Sequence, residues 1–434
     1  MDNLTPMQQA CWFGRVNQLM NVDGQEIVSS HLYIEFLGRN IDVMKLIQSI
    51  KRLYLIHPMM RLRLSQEGEV DFIDEDKIPA VTCDDLQGKP DLANLFIFEK
   101  RKSWEHQVLN IWDGEVIKFS MTLLDEGQFI LHIDADMVAL DPSCIPDMLE
   151  DLCRLYRGED LEVIPSNLFF DCVYGRKQRH HRGFSSAQKW WGDKVSKIAP
   201  CPLEKIGNSE EKRKVKSVRL YKWLTEQEYV VLEKIARSNG FTPSVLTMSL
   251  FAYALSEYIG ENYRLSIPVF NRRPPREDKD RFIGEFANFT IVNVNLENIH
   301  CLRNLCQHIA VDLYEKLDYS DYDGVLILRD FSRKTGRIET APIVFTSGLD
   351  IETGNLYSER VKGVLGSLNW TISQSAHVAL DAQIVRVENN VLINWDVRVD
   401  IIPEYIAKAM FDSFFQYMRS AIQNLEFLDE DIRK

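Results

Sequence analysis

The sequence has no excess of positive charge. Its 51 lysine and arginine residues are outnumbered by 64 aspartate and glutamate residues, and the formal net charge is -13. A general nucleic-acid binder needs a basic surface that displaces counterions from phosphates. We therefore expect no nucleic-acid partner, and we expect the basic groups to act locally.

Long hydrophobic runs, a secretory leader and zinc-ligand cysteine spacing are also missing. No stretch approaches the ~20 apolar residues of a membrane-spanning helix, and the opening MDNLTPMQQACWFG has neither the cationic start nor the apolar run of a signal peptide. The 8 cysteines are scattered, so we expect reduced thiols and no metal site. These absences predict a cytoplasmic enzyme or binding protein without a membrane partner.

What the chain does contain is enough apolar sequence for more than one core, since 45% of its 434 residues are hydrophobic. The most informative stretch begins at Phe129. Apolar and polar residues alternate there, which is typical of a strand with one polar face. Three titratable side chains share that face: His132, Asp134 and Asp136. After Asp141 the apolar spacing becomes helical, so a polar turn separates strand from helix.

Two interpretations of that turn stay open. Asp141 could cap the helix with Pro142 as its first residue, but Pro146 would then lie deep enough to cost a backbone hydrogen bond. Ser143 as the cap places Pro146 at the third helical position, where no N–H is needed. We favour Ser143, which leaves Asp141 for another partner.

Helix and strand signals continue along the chain. A strand at 31–36, a helix at 42–55 and a strand at 59–64 predict one strand-helix-strand unit. The sequence turns irregular and polar between about 161 and 211, which is typical of a connection between lobes. We predict three parts: an N-terminal lobe over 1–175, a connection over 176–216 and a C-terminal lobe over 217–434.

Three segments of the first half carry a family resemblance. They are LTPMQQACWFGR, HPMMRLRLSQEGE and DMVALDPSC. They resemble the opening motif, the second motif and the DxxxxDxxS signature of the heterocyclization domains of nonribosomal peptide synthetases, which are relatives of condensation domains. Asp136 and Asp141 match the signature, and Cys144 stands where serine is expected.

The second half adds two further matches and several departures. PIVFTSGL is similar to the family's sixth motif through Ser347 and supplies Thr346. SQSAHVALD resembles SQTPQVxLD, with Gln374 and Asp381 kept. Three positions of that motif are substituted: Ser375, Ala376 and His377. The loop NRRPPREDKDRFIGEFANFT departs from the family's Gly-Asp-Phe-Thr at Glu285 and Ala287; by analogy it forms the floor of a tunnel.

The resemblance implies an α+β fold of two chloramphenicol-acetyltransferase-like lobes, arranged as a V-shaped pseudodimer with a central tunnel. It implies an enzyme of nonribosomal peptide synthesis, such as siderophore synthesis, that forms an amide between a carrier-bound acyl group and a carrier-bound cysteine, serine or threonine. The same enzyme then cyclodehydrates the amide to a thiazoline or oxazoline. The implied partners are donor and acceptor peptidyl or aryl carrier proteins. No bound cofactor is implied, because the substrates ride on the phosphopantetheine arms of the carriers.

The resemblance also implies roles for individual residues. Loss of water from the cyclised amide needs groups that move protons, usually carboxylates and hydroxyls. The expected catalytic residues are Asp136, Thr346 and Asp381. Asp141 and Arg61 are expected to form a structural ion pair behind the active turn. Four residues are expected to line the tunnel: His132, Cys144, Ser347 and Gln374.

Two other functions remain open. His132 and Asp136 fit the HxxxD of the superfamily's acyltransferases, in which histidine is the general base, although Met137 replaces the glycine that should follow. The motif departures instead favour a catalytically silent domain that recruits partners. Since no adenylation domain or carrier attachment motif is recognisable, we expect either a discrete enzyme acting in trans or an excised piece.

Overall fold

The structure is a computed structural model that describes residues 4–20, 28–179, 181–205, 215–270, 283–350, 354–424 and 426–432. Most of the predicted tunnel-floor loop and part of the predicted connection lie outside these residues.

Twelve α-helices are defined in the described part of the chain. They are α1 Pro6–Met20, α2 Val43–Ile56, α3 Pro90–Trp104, α4 Ile145–Tyr156, α5 Leu168–Arg179, α6 His181–Lys194, α7 Glu226–Ser238, α8 Pro243–Ile259, α9 Leu302–Asp318, α10 Gly324–Thr335, α11 Glu359–Leu365 and α12 Glu404–Gln423.

Thirteen strands accompany them within the same residues. They are β1 His31–Arg39, β2 Leu62–Leu64, β3 Val70–Phe72, β4 Thr82–Asp85, β5 Ile117–Leu123, β6 Gln128–Asp136, β7 Ser217–Leu224, β8 Asn262–Phe270, β9 Ala287–Asn295, β10 Ile343–Gly348, β11 Ser367–Gln374, β12 Leu380–Val387 and β13 Asn390–Arg398.

The chain divides into two compact units. The first comprises Met1–Arg179, Phe270–Ala287 and Tyr357–Ala376. Its sheet has the strand order β11-β1-β6-β5-β4, and a separate hairpin pairs β2 with β3. The apolar residues of β6 pack with α2 and α4 into one core, because strand alternation puts Leu131, Ile133 and Ala135 on the same face.

The second unit comprises His180–Val269, Asn288–Leu356 and His377–Lys434. Its sheet has the order β7-β13-β12-β10-β8-β9. Residues of α7, α8, α9 and α12 pack on one face of that sheet to form the core. Local signals define the helix starts: Thr225 and Glu228 form a capping box before α7, and Thr242 caps α8 with proline as its first residue.

Several predicted elements are confirmed, namely the strand ending at Asp136, the strand at 31–36 and the helix at 42–55. Others differ. Only Leu62–Leu64 of the predicted 59–64 strand is extended, because Pro58–Arg61 forms a 3₁₀ turn. The stretch expected to be irregular contains α5 and α6.

The two units also differ from the predicted contiguous lobes. Residues 270–287 and 357–376 belong to the first unit by their contacts, and β11 pairs with β1 at the edge of the first sheet. Long-range pairing of this kind leaves no local sequence signal. No helix within the described residues is long and apolar enough to cross a membrane.

Candidate active site

One face of the first unit's sheet carries a band of buried polar side chains. In the antiparallel pair β1 and β6, His31 lies opposite Asp136 and Glu35 lies opposite His132. Because side chains alternate along each strand, all four point to the same side. Each is at most 2% exposed. The polar face predicted for this strand is confirmed, and it is a buried one.

Side chains of α3 cover this band. The guanidinium of Arg101 donates two hydrogen bonds to the carboxylate of Glu35, at 2.9 and 2.5 Å. The ring of Trp104 lies 5.9 Å from that of His132, centroid to centroid. A charged carboxylate is tolerated in such a buried place because a matching cation accompanies it.

His132 is bonded through both ring nitrogens. Its Nδ1 lies 2.8 Å from the hydroxyl of Tyr33, and its Nε2 lies 2.9 Å from that of Thr122. The Tyr33 proton goes to Glu35 at 2.7 Å. Nδ1 of His132 therefore carries the ring proton and donates it to Tyr33, while Nε2 accepts from Thr122.

This environment keeps His132 neutral. Burial, together with the smaller effect of the cations Lys100 and Arg101, lowers the pKa of His132 from 6.5 to about 2. With both nitrogens engaged, the imidazole has no lone pair with which to take a proton from a substrate. His132 is thus a hydrogen-bonded core histidine, and this geometry argues against the acyltransferase role.

Asp136 ends β6 and is anchored on both oxygens. Its Oδ2 pairs with the guanidinium of Arg15 in α1, and its Oδ1 accepts the N–H of Val138 at 3.0 Å. The side chains of Arg15 and Asp136 are only 9% and 2% exposed. Arg15 was not predicted as the partner of Asp136, and its only signal in the sequence is its place at the end of the opening motif. The catalytic role expected for Asp136 stays a prediction.

Asp141 ties the following turn to a distant segment. Its carboxylate accepts from the backbone N–H and the hydroxyl of Ser143, at 2.9 and 2.5 Å, and from the N–H of Phe286 at 3.0 Å. Asp141 caps a 3₁₀ turn, Pro142–Cys144, that leads into α4. The prediction of Ser143 as the cap was therefore wrong, because the extra turn moves the helix start to Ile145.

The expected ion pair between Asp141 and Arg61 is not formed between these two described residues. The guanidinium of Arg61 donates instead to the carbonyls of Tyr54, at 3.1 Å, and Ile73, at 2.9 Å. The reason is the 3₁₀ turn after His57, which directs Arg61 toward the end of α2 and the end of β3 rather than along a strand. Arg61 therefore stabilises a local backbone junction.

Cys144 occupies the position where serine was expected and is completely buried. Its thiol donates to the carbonyl of Gly284 at 3.1 Å, and the N–H of Gly284 lies 3.4 Å from the sulfur. The thiol therefore joins the turn to the same segment as Asp141. Full burial gives it no surface with which to line an open channel.

Gln374 ends β11 opposite His31 on the polar face. It is 7% exposed, and its Oε1 has no hydrogen-bond partner among the described residues. The neighbouring His31 bonds through Nδ1 to Asp134 at 2.7 Å. Burial alone lowers the pKa of His31, but the carboxylates of Asp134 and Asp136 outweigh it and raise the pKa above its ordinary value.

The second unit holds the other two expected catalytic residues on adjacent strands. β10 and β12 run parallel, with Val344 beside Asp381 and Thr346 beside Gln383. Because register partners and alternate residues share a face, Thr346 and Asp381 point to the same side of the sheet. Both are half-buried. The opposite face of these strands is the apolar core.

Neutral amides hold Asp381. Gln383 donates through Nε2 to Oδ2 of Asp381 at 2.7 Å, and Asn394 of β13 donates through Nδ2 to Oε1 of Gln383 at 3.1 Å. Neither amide was identified from the sequence. The two-residue spacing of Asp381 and Gln383 along one strand was the available signal.

Ser347 lies on the other face of β10 from Thr346. Its hydroxyl is 2.7 Å from that of Ser244 in α8, so it joins strand to helix. The structure thus places Thr346 and Asp381 together and separates Ser347 from them. No cluster of three or more histidine, cysteine, aspartate or glutamate side chains suited to a metal ion occurs in the described part of the chain.

Comparison with known proteins gives the family. A family model described as Condensation domain matches residues 1–381. Phenyloxazoline synthase MbtB of Mycolicibacterium paratuberculosis is 32% identical over 428 residues, which cover 94% of this chain and 35% of that protein. Pyochelin synthetase PchE of Pseudomonas aeruginosa is 25% identical over 421 residues, covering 95% of this chain and 28% of that one. The chain thus spans about a third of the length of these relatives.

Solved structures share the fold. The EpoB cyclization-docking bidomain from Sorangium cellulosum superposes with a TM-score of 0.85 at 19% identity, covering 98% of this chain and 86% of that one. The condensation domain of the Monacolin K polyketide synthase MokA gives 0.74 at 13% identity, covering 96% of each. These likenesses confirm the predicted α+β class. Because the family model matches most of its length, this chain belongs to the condensation-domain family.

Proposed function

We propose that this chain is a heterocyclization domain. It joins a carrier-bound acyl group to a carrier-bound cysteine, serine or threonine, and it cyclodehydrates the new amide to a thiazoline or oxazoline. The observation that carries the proposal is the position of Thr346 and Asp381 on adjacent strands, which puts a hydroxyl and a carboxylate on one half-buried sheet face.

The chemistry needs groups of this kind. In the first step the amine of the acceptor attacks the donor thioester, which forms the amide and releases the donor thiol. The acceptor's side-chain thiol or hydroxyl then adds to the amide carbonyl, whose oxygen becomes a hydroxyl. Loss of that hydroxyl as water, together with the proton on nitrogen, leaves the C=N bond of the ring. Asp381 accepts the nitrogen proton and delivers it to the departing hydroxyl, which leaves as water, and Thr346 donates a hydrogen bond to that oxygen.

Relatives support this branch of the family over ordinary amide formation. One relative is named a phenyloxazoline synthase, and oxazoline is one of the two rings proposed here. The EpoB structure with the same fold is described as a cyclization domain joined to a docking domain. By extension, the partners of this chain are donor and acceptor carrier proteins, whose phosphopantetheine arms present both substrates, and no resident cofactor is used.

A reconstituted reaction tests the proposal. Donor and acceptor carriers are loaded, mixed with the chain, and their products are read by mass spectrometry, since a ring is lighter than its open amide by one water. Wild type yields the ring. Asp381→Ala accumulates the open amide, with ring formation slower by ~10²–10⁴-fold, and Thr346→Val shows a milder form of the same defect. Asp412→Ala, which removes an exposed carboxylate paired with Lys222, is the matched control and forms ring normally.

A second candidate is a silent recruitment domain. It is favoured by the substituted residues of the SQSAHVALD segment and by Asp136, whose two oxygens are already bonded within the unit. That candidate predicts binding of both carriers with neither amide nor ring as product. If wild type behaves in this way with competent carriers, recruitment replaces the heterocyclization proposal; equal ring formation by wild type and folded Asp381→Ala removes Asp381 from it.

A further inference from the structure

A row of polar side chains crosses three strands of the second sheet. Gln383 in β12 has Thr346 of β10 as its register partner on one side and Asn394 of β13 on the other. Register partners face the same way, so all three lie on the face that carries Asp381. Gln383 is therefore adjacent to both groups that the proposed cyclodehydration uses, the base Asp381 and the hydrogen-bond donor Thr346.

The hydrogen bonds along this row determine which end of each amide faces its neighbour. Asn394 donates to the carbonyl oxygen of Gln383 at 3.1 Å, and the amide nitrogen of Gln383 donates to Asp381 at 2.7 Å. A glutamine amide can turn either end toward a neighbour. By occupying the oxygen end, Asn394 leaves the nitrogen end of Gln383 to face the carboxylate.

Asn394 is a buried amide whose side chain donates a hydrogen bond to Gln383. It is 1% exposed, and its own Oδ1 has no hydrogen-bond partner in the described part of the chain. An apolar side chain at this position would avoid an unsatisfied buried oxygen. The bond that Asn394 makes to Gln383 is the compensating feature.

A cation neutralises the carboxylate that lies next to Asp381 on the neighbouring strand. Asp396 of β13 is its direct register partner, and like charges in such a pair repel each other. The guanidinium of Arg219 forms two hydrogen bonds to Asp396, at 2.8 and 2.7 Å. Since Arg219 engages Asp396 from β7, Gln383 can orient Asp381 from within its own strand.

We propose that Gln383 and Asn394 are positioning residues for cyclodehydration. Gln383 fixes the orientation of the Asp381 carboxylate beside Thr346, and Asn394 fixes the orientation of the Gln383 amide. This inference rests on the proposed heterocyclization function and adds two residues that act through Asp381 without contacting substrate.

The test measures amide formation and ring formation separately, in the same carrier-bound reaction, as a function of pH. Gln383→Leu slows ring formation at least ~10-fold, a smaller loss than the ~10²–10⁴-fold typical of removing an acid-base group, and leaves amide formation unchanged. Normal amide formation also shows that the variant is folded. Asn355→Ala removes an amide-to-amide hydrogen bond at the surface of the same unit and is the matched control, with both steps normal.

Gln383→Glu distinguishes a positioning role from a purely structural one through the pH dependence of the ring-forming rate. At neutral pH the introduced carboxylate cannot donate a hydrogen bond and repels Asp381, so ring formation is slow. As the pH falls the pair of carboxyls takes up one proton and the donor is restored. The ratio of the Gln383→Glu rate to the wild-type rate therefore rises toward acid pH.

A double variant tests whether Asn394 acts through Gln383. Because Asn394 acts through Gln383, Asn394→Ala slows ring formation alone but adds no further loss to Gln383→Leu. The inference is overturned if Gln383→Leu forms ring at the wild-type rate, if the Gln383→Glu ratio is flat with pH, or if the two losses multiply. Failure of wild type to form any ring instead refutes the heterocyclization proposal, and the inference with it.

Discussion

Breaking the ion pair between Arg15 and Asp136 should cost the first unit much of its stability. Both side chains are nearly inaccessible, at 9% and 2% exposed, so removing one partner leaves a charge in a place that water does not reach. Breaking a buried pair in this way typically costs ~3–5 kcal/mol. For a unit of this size roughly 2–4 °C of melting temperature is lost per kcal/mol, so Asp136→Ala should melt about 6–20 °C lower.

The matching experiment replaces both partners. Two apolar side chains of similar volume can be as stable as a buried ion pair, so the double variant Arg15→Met with Asp136→Leu should regain most of the melting temperature. Thermal unfolding followed by circular dichroism measures stability, and the carrier-bound reaction measures amide formation. Since both oxygens of Asp136 are engaged within the unit, we expect amide formation to return with stability. Arg63→Met, which removes a cation paired with Asp71 at the surface, serves as the control.

Two results would refute this reasoning. A double variant that melts like wild type but forms no amide would show that Asp136 contacts the reacting groups, as the sequence motif predicted. An Asp136→Ala protein with the wild-type melting temperature would show that the ion pair does not stabilise the unit in solution.

Two further predictions concern the same unit. The folded pKa of His132, about 2, lies below the 6.5 of the unfolded chain. The contribution of His132 to stability is therefore present above pH 6.5 and is lost as the pH falls toward 2, by about 1.4 kcal/mol per pH unit. Urea unfolding of His132→Gln should lack this pH-dependent loss while amide formation persists, and an unchanged pH slope would contradict the assignment. Asp141 and Arg61 have separate partners, so the stability losses of Asp141→Ala and Arg61→Ala should add within about 0.5 kcal/mol in the double variant; a clearly non-additive result would restore the predicted ion pair.

The parts of the fold that follow from local pattern could be predicted from the sequence. Alternation located β6, and helical spacing located α4 after it. The parts that depend on distant partners could not. Nothing near residues 367–374 indicates that this strand pairs with β1 of the first unit, because a strand's own sequence specifies a face and not a neighbour.

The candidate site also has parts that follow from local sequence and parts that depend on distant partners. The motifs led to Thr346 and Asp381, which the structure places on adjacent strands. The partner of Asp136 could not be predicted, because Arg15 is 121 residues away and many arginines could satisfy one carboxylate. The pairing predicted for Asp141 failed for a local reason, since Pro58 begins a 3₁₀ turn that changes the direction of Arg61.

The polar side chains of the two units differ in how far they are exposed to substrate. Asp136 and His132 are at most 2% exposed and are hydrogen-bonded on both polar atoms, so neither can contact a substrate without first losing a partner. Thr346 and Asp381 are half-buried and therefore more exposed than the first pair. Substitutions in the first group should therefore lower activity in proportion to stability, whereas substitutions in the second should slow ring formation in proteins that melt normally. A plot of ring-forming rate against melting temperature for all these variants should resolve into two lines, and a single common line would contradict the assignment of chemistry to the second unit.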